Sequence, residues 1–513
     1  MRPRLLILPP LIVITSFSSV SARTQRPDTE LPLPPVRIRL ASLGAPAVVS
    51  LERSPGLTFT EAGEERILSV EGDPAVIRAD GDRVCVGGRR LAVLRVEASY
   101  IGLRLGKERR LYPDCLLIRA SSGRLSLENE CDLEEYATGV LARECPSTFH
   151  AEAIRAMAVA TRTYSFRRAY QSRIPLCDLV HCQVYRGLGG VPTSIQDAMH
   201  STEGRVALHD GRVIDAVYSS DCGGDTEGND DAWGGQPVPY LRSVRDGAVG
   251  KEQHYCAVSR RHTWTVQVAA ARLRALVGSG DETPSVETTE RTPTGKVRQI
   301  RVRYRTSGGG QAEKLFSGVQ WQQLVGDSRV LSLKYTCRMT EGGLEMEGRG
   351  WGHGVGLCQH GAQGMARLGA TAGRILRHYY TGIEVGPIPE LSADSLALIQ
   401  QRRRDWLASA TGLPAAMFSA AIRSGRMQSA SRPTRSEVVA PREAREPENR
   451  RVAAVRLPSS GREVTEEEAR RAMLARAAPQ RRDQDRQAAA RQMRVTSTRT
   501  QRARTQPMRV EAE

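Results

Sequence analysis

The strongest constraint on this chain is a run of glycines at every second position between residues 348 and 356. Alternate side chains of an extended strand point to opposite faces of a sheet, so such a run would leave one face as bare backbone. The opposite face would carry Trp351, His353, Val355 and Leu357. Glycine weakens a strand interior, so the pattern predicts close approach of a flat ligand or of another backbone, with a tight bend or bulge as the alternative. A phosphate-binding loop is excluded because the Lys-Ser/Thr ending of that motif is missing.

The N-terminal residues predict export. Two arginines precede an apolar run over residues 5–17, and small residues at 20–22 form a cleavage site. We therefore expect a signal peptide at residues 1–22 and a proline-rich linker at residues 23–35, which would place the chain in the periplasm or cell wall. A retained membrane anchor is the alternative, although the run is short for a bilayer span.

Ten cysteines lie between residues 85 and 358. An even number confined to one part of an exported chain indicates disulfides, whose connectivity the sequence does not define. Cys177 and Cys182 are separated by four residues, and His181 lies between them. Two thiols and an imidazole are zinc ligands, but oxidation to a local disulfide is equally consistent with this spacing.

The charge of the chain limits its partners. The formal net charge is +17, whereas aromatic residues make up only 5% of the sequence. A basic exported protein favours anionic surfaces such as cell-wall polymers or lipid headgroups. Nucleic acid is excluded as a partner on this reasoning, because few aromatic side chains are available to stack on bases.

Hydrophobic periodicity predicts an α+β fold. Short β-type segments separated by glycine turns fill residues 36–130, which are expected to form a β-rich N-terminal domain. The period then changes to that of a helix, and a second helix is expected over residues 148–170, capped by Ser147 or Thr148. Residues 131–390 are therefore predicted to form a helical and β catalytic part that shares one groove with the first domain.

The segments after residue 200 also alternate between the hydrophobic period of a strand and that of a helix. Strand-like stretches are expected at Arg212–Ser219 and Lys296–Tyr304. A helix is expected from about Gln359 to Leu368, and a last helix, capped by Thr371, should run to Tyr380. Arg, Ala, Gln and Ser dominate after residue 390. This composition predicts a solvated tail at residues 391–513 that is mostly disordered or loosely helical, and whose arginines would bind an anionic wall or membrane surface.

Glu144 is the first candidate for catalysis. It lies between the two predicted helices, where partial desolvation would raise the pKa of its carboxyl and keep it protonated as a general acid. Arg155 and Arg162 are seven residues apart on the second helix, so they share a face from which they could orient an anionic sugar substituent. A surface carboxylate and a solvated arginine stripe are the alternatives.

Several ordered motifs extend this pattern. They read Leu133-Glu134-Glu135-Tyr136-x3-Val140-x3-Glu144, Glu152-Ala153-x-Arg155-Ala156-x-Ala158-Val159-Ala160-x-Arg162-Thr163-Tyr164, His181-Cys182-Gln183-Val184-Tyr185, Asp231-Ala232-Trp233-Gly234, Gly350-Trp351-Gly352-His353-Gly354-Val355-Gly356-Leu357-x-Gln359-x-Gly361-Ala362-x-Gly364 and Ile375-Leu376-x-His378-Tyr379-Tyr380-x-Gly382. Together they resemble the stage II sporulation protein D family, also known as the SpoIID/LytB or amidase-enhancer family. The resemblance covers residues 36–388.

The resemblance implies an exported lytic transglycosylase that cleaves MurNAc–GlcNAc bonds in peptidoglycan glycan strands, with denuded strands as the expected substrate. Glu144 matches the family's catalytic acid, which would protonate the glycosidic oxygen and then accept a proton from the MurNAc 6-hydroxyl, closing a 1,6-anhydro ring. One carboxyl serves both steps, unlike the carboxylate pair of a glycoside hydrolase. The resemblance also implies a set of glycan-binding side chains, namely Arg155, Arg162, Tyr185, Trp233, Trp351, His353, Gln359 and Gln363.

The chain departs from the family just before the first thiol of the possible zinc site, where some members place a further histidine. A zinc site at Cys177, His181 and Cys182 would lack a ligand, so we favour a Cys177–Cys182 disulfide and no bound cofactor. Two other functions stay open. One is a non-catalytic, glycan-binding enhancer of a wall amidase, and the other is a glycosidase that activates water with a carboxylate such as Glu227 or Asp231.

Overall fold

The structure is a computed structural model that describes residues 33–411, except positions 65, 173–174, 249–252 and 307, together with two short strands further on. Two compact units are distinguished, Met1–Arg426 and Met427–Glu513. The predicted signal peptide and most of the predicted linker lie outside the described residues. No helix in the described part of the chain is both long and apolar enough to cross a bilayer.

A ten-stranded sheet occupies the N-terminal part of the larger unit. Its strands are β1 (Val36–Arg39), β2 (Val48–Glu52), β3 (Thr58–Glu61), β4 (Ala75–Asp80), β5 (Arg83–Val86), β6 (Arg89–Leu91), β7 (Val93–Leu105), β8 (Glu108–Ser121), β9 (Arg124–Cys131) and β10 (Leu176–Cys177). Their order is β10-β1-β9-β8-β7-β2-β4-β5-β6, and β3 pairs with β7. All pairs are antiparallel except β1 and β10, where Ile38 lies opposite Leu176.

The helix α1 covers Leu133–Glu144, directly after the sheet, and confirms the predicted change of period. Asp132 caps it, because its side chain accepts the N–H of Glu134 at 2.8 Å. Tyr136 and Val140 are fully buried and belong to the same apolar core as the sheet. Spaced four apart on one helix face, they attach α1 to the sheet.

The helix α2 covers Ala151–Phe166, and a π-helical turn at Arg167–Gln171 extends it. Its N-cap is His150, so the predicted capping by Ser147 or Thr148 is wrong. The reason is local, because both residues form a turn that precedes the helix. Every residue of α2 from position 156 to 166 is buried, which makes this helix the centre of the larger unit.

The remaining elements of the larger unit follow in chain order. They are α3 (Thr193–Ser201), β11 (Arg205–His209), β12 (Arg212–Val213), β13 (Tyr218–Ser219), α4 (Asn229–Trp233), a 3-10 helix (Tyr255–Val258), β14 (Thr263–Ala269), α5 (Ala270–Val277), β15 (Ser285–Arg291), β16 (Val297–Arg305), β17 (Gln311–Ser317), α6 (Gly318–Val325), β18 (Tyr335–Thr340), β19 (Gly343–Arg349), β20 (Leu357–Cys358), α7 (Gln359–Arg367), α8 (Ala372–Tyr379), β21 (Glu384–Pro387) and α9 (Ala393–Thr411).

A second apolar core joins α2 to α7 and α8 through buried residues such as Met157, Ala362 and Leu376. The predicted helices at α7 and α8 are confirmed, and Thr371 caps α8 as expected. At the edge of this core β13 pairs in parallel with β20, so that Tyr218 lies opposite Leu357. This pairing joins two sequence motifs that are about 140 residues apart.

The predicted strand at Arg212–Ser219 is interrupted. Only β12 and β13 at its two ends are extended, because the N–H of Val217 donates to the carbonyl of Asp215 at 2.8 Å and closes a tight turn. β16 confirms the strand that was predicted at Lys296–Tyr304.

A third core lies within residues 263–349 and was not predicted from the sequence. It contains two three-stranded antiparallel sheets, β14-β19-β18 and β15-β16-β17. Trp321 of α6 is fully buried there with Ile300 and Met346.

The segment after residue 390 begins with α9, which fits the loosely helical alternative for the predicted tail rather than the disordered one. Ile399 is buried with the core of the large sheet, and Nη1 of Arg402 donates to the carbonyl of Ala169 at 3.1 Å. In the smaller unit, β22 (Val455–Arg456) pairs antiparallel with β23 (Glu463–Val464). The other residues of the predicted tail lie outside the described residues. The α+β class is confirmed.

Candidate functional site

The glycine run is not an extended strand, which corrects the first prediction. β19 ends at Arg349, and the φ angles of Gly350, Gly352, Gly354 and Gly356 are +86°, +97°, +71° and +70°. Left-handed backbone is disfavoured for residues with a Cβ, so glycine at these four positions lets the chain turn repeatedly. The alternative of a bent segment was the correct one, and we refer to residues 350–356 as the glycine loop.

Close approach of another backbone, which the pattern also predicted, is confirmed at two of these glycines. A Cβ on Gly350 would lie 2.8 Å from the carbonyl oxygen of Asp221, and one on Gly356 would overlap the carbonyl oxygen of Val217. Asp221 and Trp351 exchange two backbone hydrogen bonds of 3.0 and 2.7 Å. The glycine loop is therefore fixed directly against the chain around β13.

Glu144 is the last residue of α1, and its side chain is half-buried. Its Oε1 accepts the backbone N–H of Val184 at 2.8 Å, and its carbonyl accepts Nε2 of Gln359 at 3.1 Å. Burial raises the pKa of the Glu144 carboxyl, and the hydrogen bond from Val184 opposes that shift without cancelling it. Such a carboxyl stays protonated at higher pH than an exposed glutamate, as a general acid requires.

The segment that presents the Val184 N–H is anchored at both of its ends. Asp178 is fully buried, and its carboxylate accepts the N–H of Ser42 at 2.9 Å. At the other end, the Tyr185 hydroxyl donates to Oδ1 of Asn129 in β9 at 2.7 Å. The two anchors position the Val184 N–H against the end of α1.

Tyr218 interacts electrostatically with Glu144 and, through its carbonyl, contacts His353. Nε2 of Gln183 donates to the Tyr218 hydroxyl at 2.9 Å, and burial, followed by the charge of Glu144, raises the pKa of Tyr218. Nε2 of His353 lies 2.9 Å from the carbonyl oxygen of Tyr218, while its Nδ1 accepts the N–H of Val355 at 3.0 Å. One ring nitrogen donates and the other accepts, so the imidazole is held neutral.

Two of the predicted glycan-binding residues present exposed indole rings, and one of these rings contacts His353. The ring of Trp233 is 5.1 Å from that of His353, and the residue is 55% exposed. Trp351 is 39% exposed, and the guanidinium carbon of Arg261 lies 4.8 Å from its ring centre. Exposed aromatic surface beside polar groups is typical of a binding site. Both tryptophans lie where a ligand could reach them.

The structure separates the two arginines that were predicted to share a ligand-facing surface. Arg162 is fully buried, and its guanidinium forms a two-pronged ion pair with Glu134 at 2.7 and 2.8 Å. It also donates to the carbonyl of Met199 at 3.2 Å, so it joins α1, α2 and α3. Arg155 is partly exposed and pairs with Glu152 in the same helix. The prediction that Arg162 contacts a glycan is wrong for this structure.

Three further predicted binding residues are buried and instead support the site. Gln359 donates to the Glu144 carbonyl, and Oε1 of Gln363 accepts the N–H of His150 at 2.6 Å. Tyr185 packs so closely on α1 that a Cβ on Gly139 would lie 2.5 Å from its ring. These contacts position the ends of α1 and α2 without exposing the side chains to a ligand.

The three residues considered for zinc are close together. Nδ1 of His181 lies 3.8 Å from Sγ of Cys177 and 3.4 Å from Sγ of Cys182, and the two sulfurs are 3.4 Å apart. A hydrogen bond from Cys182 lowers the pKa of the Cys177 thiol below its ordinary value. A cavity of about 260 Å³ lies beside them, lined in part by Tyr164 and Arg168. Among the described residues, no fourth side-chain ligand accompanies the three, and the disulfide remains a prediction.

Sequence reasoning did not identify Gln183 and Tyr218 as site residues. Gln183 lies in the motif at residues 181–185 and Tyr218 in the strand-like stretch Arg212–Ser219. Their role, however, depends on the pairing of β13 with β20 and on the anchored segment that carries Val184. The signal available in the sequence was the polar and aromatic content of those motifs. Their convergence on Glu144 is a property of the tertiary structure alone.

Comparisons with known proteins point to one family. The family model described as "SpoIID: Stage II sporulation protein" matches residues 121–209, which include α1, α2 and the anchored segment. Stage II sporulation protein D of Bacillus subtilis is 29% identical over 282 residues, covering 51% of this chain and 76% of that protein. An uncharacterized protein of Brachyspira hyodysenteriae is 25% identical over 362 residues, or 68% and 92% of the two chains. The amidase enhancer of Bacillus subtilis is 26% identical over 282 residues, or 48% and 39%.

Proposed function

We propose that this chain, which is similar to the SpoIID/LytB family, is an exported lytic transglycosylase that remodels the cell wall. Its substrate would be the glycan strand of peptidoglycan, with denuded strands preferred, and its products would carry 1,6-anhydro-MurNAc ends. The names of the relatives support a role in the cell wall. The chemistry is argued from the residues of this chain.

The environment of Glu144 is the observation that carries this proposal. Its carboxyl is half-buried at the end of α1, has a raised pKa, and accepts one hydrogen bond on Oε1. Because Oε1 serves as an acceptor, the proton of the neutral carboxyl belongs on Oε2. A positioned carboxyl that stays protonated is what protonation of a glycosidic oxygen needs.

The proposed reaction has two proton transfers through one group. Glu144 donates its proton to the oxygen between MurNAc C1 and GlcNAc C4, and the C1–O bond breaks. The resulting carboxylate then takes the proton of the MurNAc 6-hydroxyl, whose oxygen bonds to C1. The acid is regenerated, no water is consumed, and every atom is accounted for.

The two carboxylates that could have activated water are already engaged. Glu227 is fully buried, accepts the hydroxyl of Thr294 at 2.5 Å and lies 3.4 Å from Nζ of Lys296. Asp231 is paired with the guanidinium of Arg298. A carboxylate neutralised by a cation is a poor base, so this arrangement favours one-carboxyl chemistry over hydrolysis.

The test is to incubate protein lacking residues 1–22 with purified glycan strands, both denuded and intact, and to identify the products by mass spectrometry. We expect fragments ending in 1,6-anhydro-MurNAc. Glu144→Gln should retain glycan binding but lose at least ~100-fold in rate, the usual contribution of a general acid. Glu203→Gln, an exposed carboxyl at the end of α3, is the matched control and should keep full activity.

The products distinguish the competing functions. Reducing MurNAc ends would replace the transglycosylase with a glycosidase. Full activity of the Glu144→Gln variant would move the chemistry to another residue.

A non-catalytic role is the second candidate, favoured by the similarity to the amidase enhancer. In that case the chain alone would release no fragments from either substrate. It would instead bind glycan and increase the rate at which an added wall amidase removes stem peptides. The same assay with and without the amidase separates the two proposals.

A further inference from the structure

Three cysteines and an aspartate from distant parts of the sequence converge beneath the glycine loop. Cys222 follows β13, Cys256 lies in the 3-10 helix, and Cys358 ends β20 and caps α7, while Asp246 comes from the intervening loop. All four side chains are at most 2% exposed. One ligand atom from each lies within 4.8 Å of the other three.

We propose that Cys222, Asp246, Cys256 and Cys358 bind a structural zinc ion. Thiolate sulfur is the preferred protein ligand of zinc, a carboxylate oxygen can be the fourth ligand, and a closed set of four ligands is typical of structural rather than catalytic zinc. This site is separate from Cys177, His181 and Cys182. It does not depend on the proposed catalytic function.

The distance between the sulfurs fits a shared ion. Two thiolates on one tetrahedral zinc, each at about 2.3 Å, lie about 3.8 Å apart. Sγ of Cys222 and Sγ of Cys256 are 3.9 Å apart. A disulfide would need about 2.05 Å and would leave one of the three thiols unpaired in an exported protein. A single zinc ion would bind all three thiolates.

The surroundings already stabilise negative charge on these ligands. Sγ of Cys358 accepts the N–H groups of Cys222 and Gly361, each at 3.3 Å, at the N-terminus of α7. Oδ2 of Asp246 accepts the N–H of Cys256 at 2.9 Å. Such contacts orient metal ligands and offset the charge that one divalent ion leaves uncompensated.

The backbone leaves space for the carboxylate at this point. A Cβ on Gly361 would lie against both the Tyr379 hydroxyl and Oδ1 of Asp246, and the Tyr379 hydroxyl donates to the same oxygen. Glycine in the first turn of α7 therefore lets Asp246 approach the three sulfurs. His262 lies just outside, with Nδ1 3.7 Å from Sγ of Cys256.

The proposed ion would connect three parts of the chain, namely the residues after β13, the 3-10 helix and the start of α7. Gln359 in α7 in turn donates a hydrogen bond to the carbonyl of Glu144. Zinc at this position would fix the glycine loop and α7 relative to α1. Its removal should loosen the candidate site as well as lower stability.

The test uses the full-length protein purified without chelator, in the Cys177→Ser/Cys182→Ser background so that the other candidate site cannot contribute. We expect about one zinc per chain by elemental analysis, and X-ray absorption with about three sulfur neighbours at about 2.3 Å. Cobalt substitution should give thiolate charge-transfer bands and tetrahedral d–d bands. In the same background Cys358→Ser should lose the metal, whereas the buried control Cys115→Ala should keep it.

Two outcomes would overturn the proposal. One is that the Cys177→Ser/Cys182→Ser protein contains no zinc. The other is a peptide mass lower by two hydrogens that links any two of Cys222, Cys256 and Cys358. If Cys358→Ser does not fold, the X-ray absorption and cobalt spectra of the Cys177→Ser/Cys182→Ser protein still decide the question. Spectra that show no sulfur ligands would also reject the site.

Discussion

At Glu144 the burial that suits an acid catalyst also reduces stability at neutral pH. Because burial raises the pKa of this carboxyl in the folded chain, the folded state binds more protons than the unfolded state between the two pKa values. The contribution of this carboxyl to the free energy of unfolding is therefore fully present at low pH. It is lost as the pH rises through the raised pKa of the folded state, and it stays lost at higher pH.

The first prediction at this scale is that Glu144→Gln raises the melting temperature at neutral pH. Glutamine cannot ionise and can still accept the Val184 N–H, so the ionisation cost disappears. Below the ordinary value of 4.5 the two proteins should melt alike. Calorimetry over a pH series measures this, with Glu203→Gln as the exposed control. A difference that does not change with pH would contradict it.

Arg162 and Arg155 illustrate how the same residue type serves different roles on one helix. Removing one partner of a buried ion pair leaves the other charge uncompensated, so Arg162→Met should cost ~3–5 kcal/mol of unfolding free energy. Arg155→Met, at a partly exposed pair, should cost less than ~1 kcal/mol. Urea unfolding compares the two variants. Weaker glycan binding by Arg162→Met at unchanged stability would instead restore the sequence-based role.

At the scale of elements, the glycine loop requires both an unusual backbone and close packing. Gly356 and Gly369 both have positive φ, +70° and +86°, but only Gly356 has a backbone carbonyl where a Cβ would lie. Gly369→Ala should cost about 1–2 kcal/mol for its left-handed backbone. Gly356→Ala should cost clearly more, because β13 and β20 must separate to make room. Equal losses of unfolding free energy for the two variants, measured by urea unfolding, would show that backbone conformation alone accounts for the need for glycine in this loop.

At the scale of the whole molecule, α9 is the part of the predicted tail that contacts the rest of the larger unit. A chain ending at residue 411 should keep its unfolding free energy, because it retains the buried Ile399 and the contact of Arg402 with Ala169. It should nevertheless bind wall sacculi less well, and the difference should be largest at low salt, where arginine charges are least screened. A chain ending at residue 390 should also melt at a lower temperature.

Thermal unfolding and sacculus pelleting at two salt concentrations measure both effects. Equal melting temperatures for the two truncated chains would show that α9 does not contribute to the fold. Unchanged binding of the chain ending at residue 411 would remove the proposed role of the basic tail.

The sequence by itself determined the class of the fold, the resemblance to one family and the positions of the elements that have a regular period. α1, α2, α7 and α8 were predictable because apolar residues at helical spacing are a local signal. The cap of α8 at Thr371 was predictable in the same way, whereas the cap of α2 at His150 was not. Glu144 could be singled out because it ends one helix just before the next begins.

Only the tertiary structure decided which side chains face a ligand and which hold the chain together. Arg155 and Arg162 have the same chemistry and share a helix, yet the packing of α3 buries one and leaves the other partly exposed. The glycine loop has the same period as a strand, and contact with the backbone near β13 selects the left-handed turns. The four proposed zinc ligands span 137 positions, from 222 to 358, so no local pattern could have brought them together.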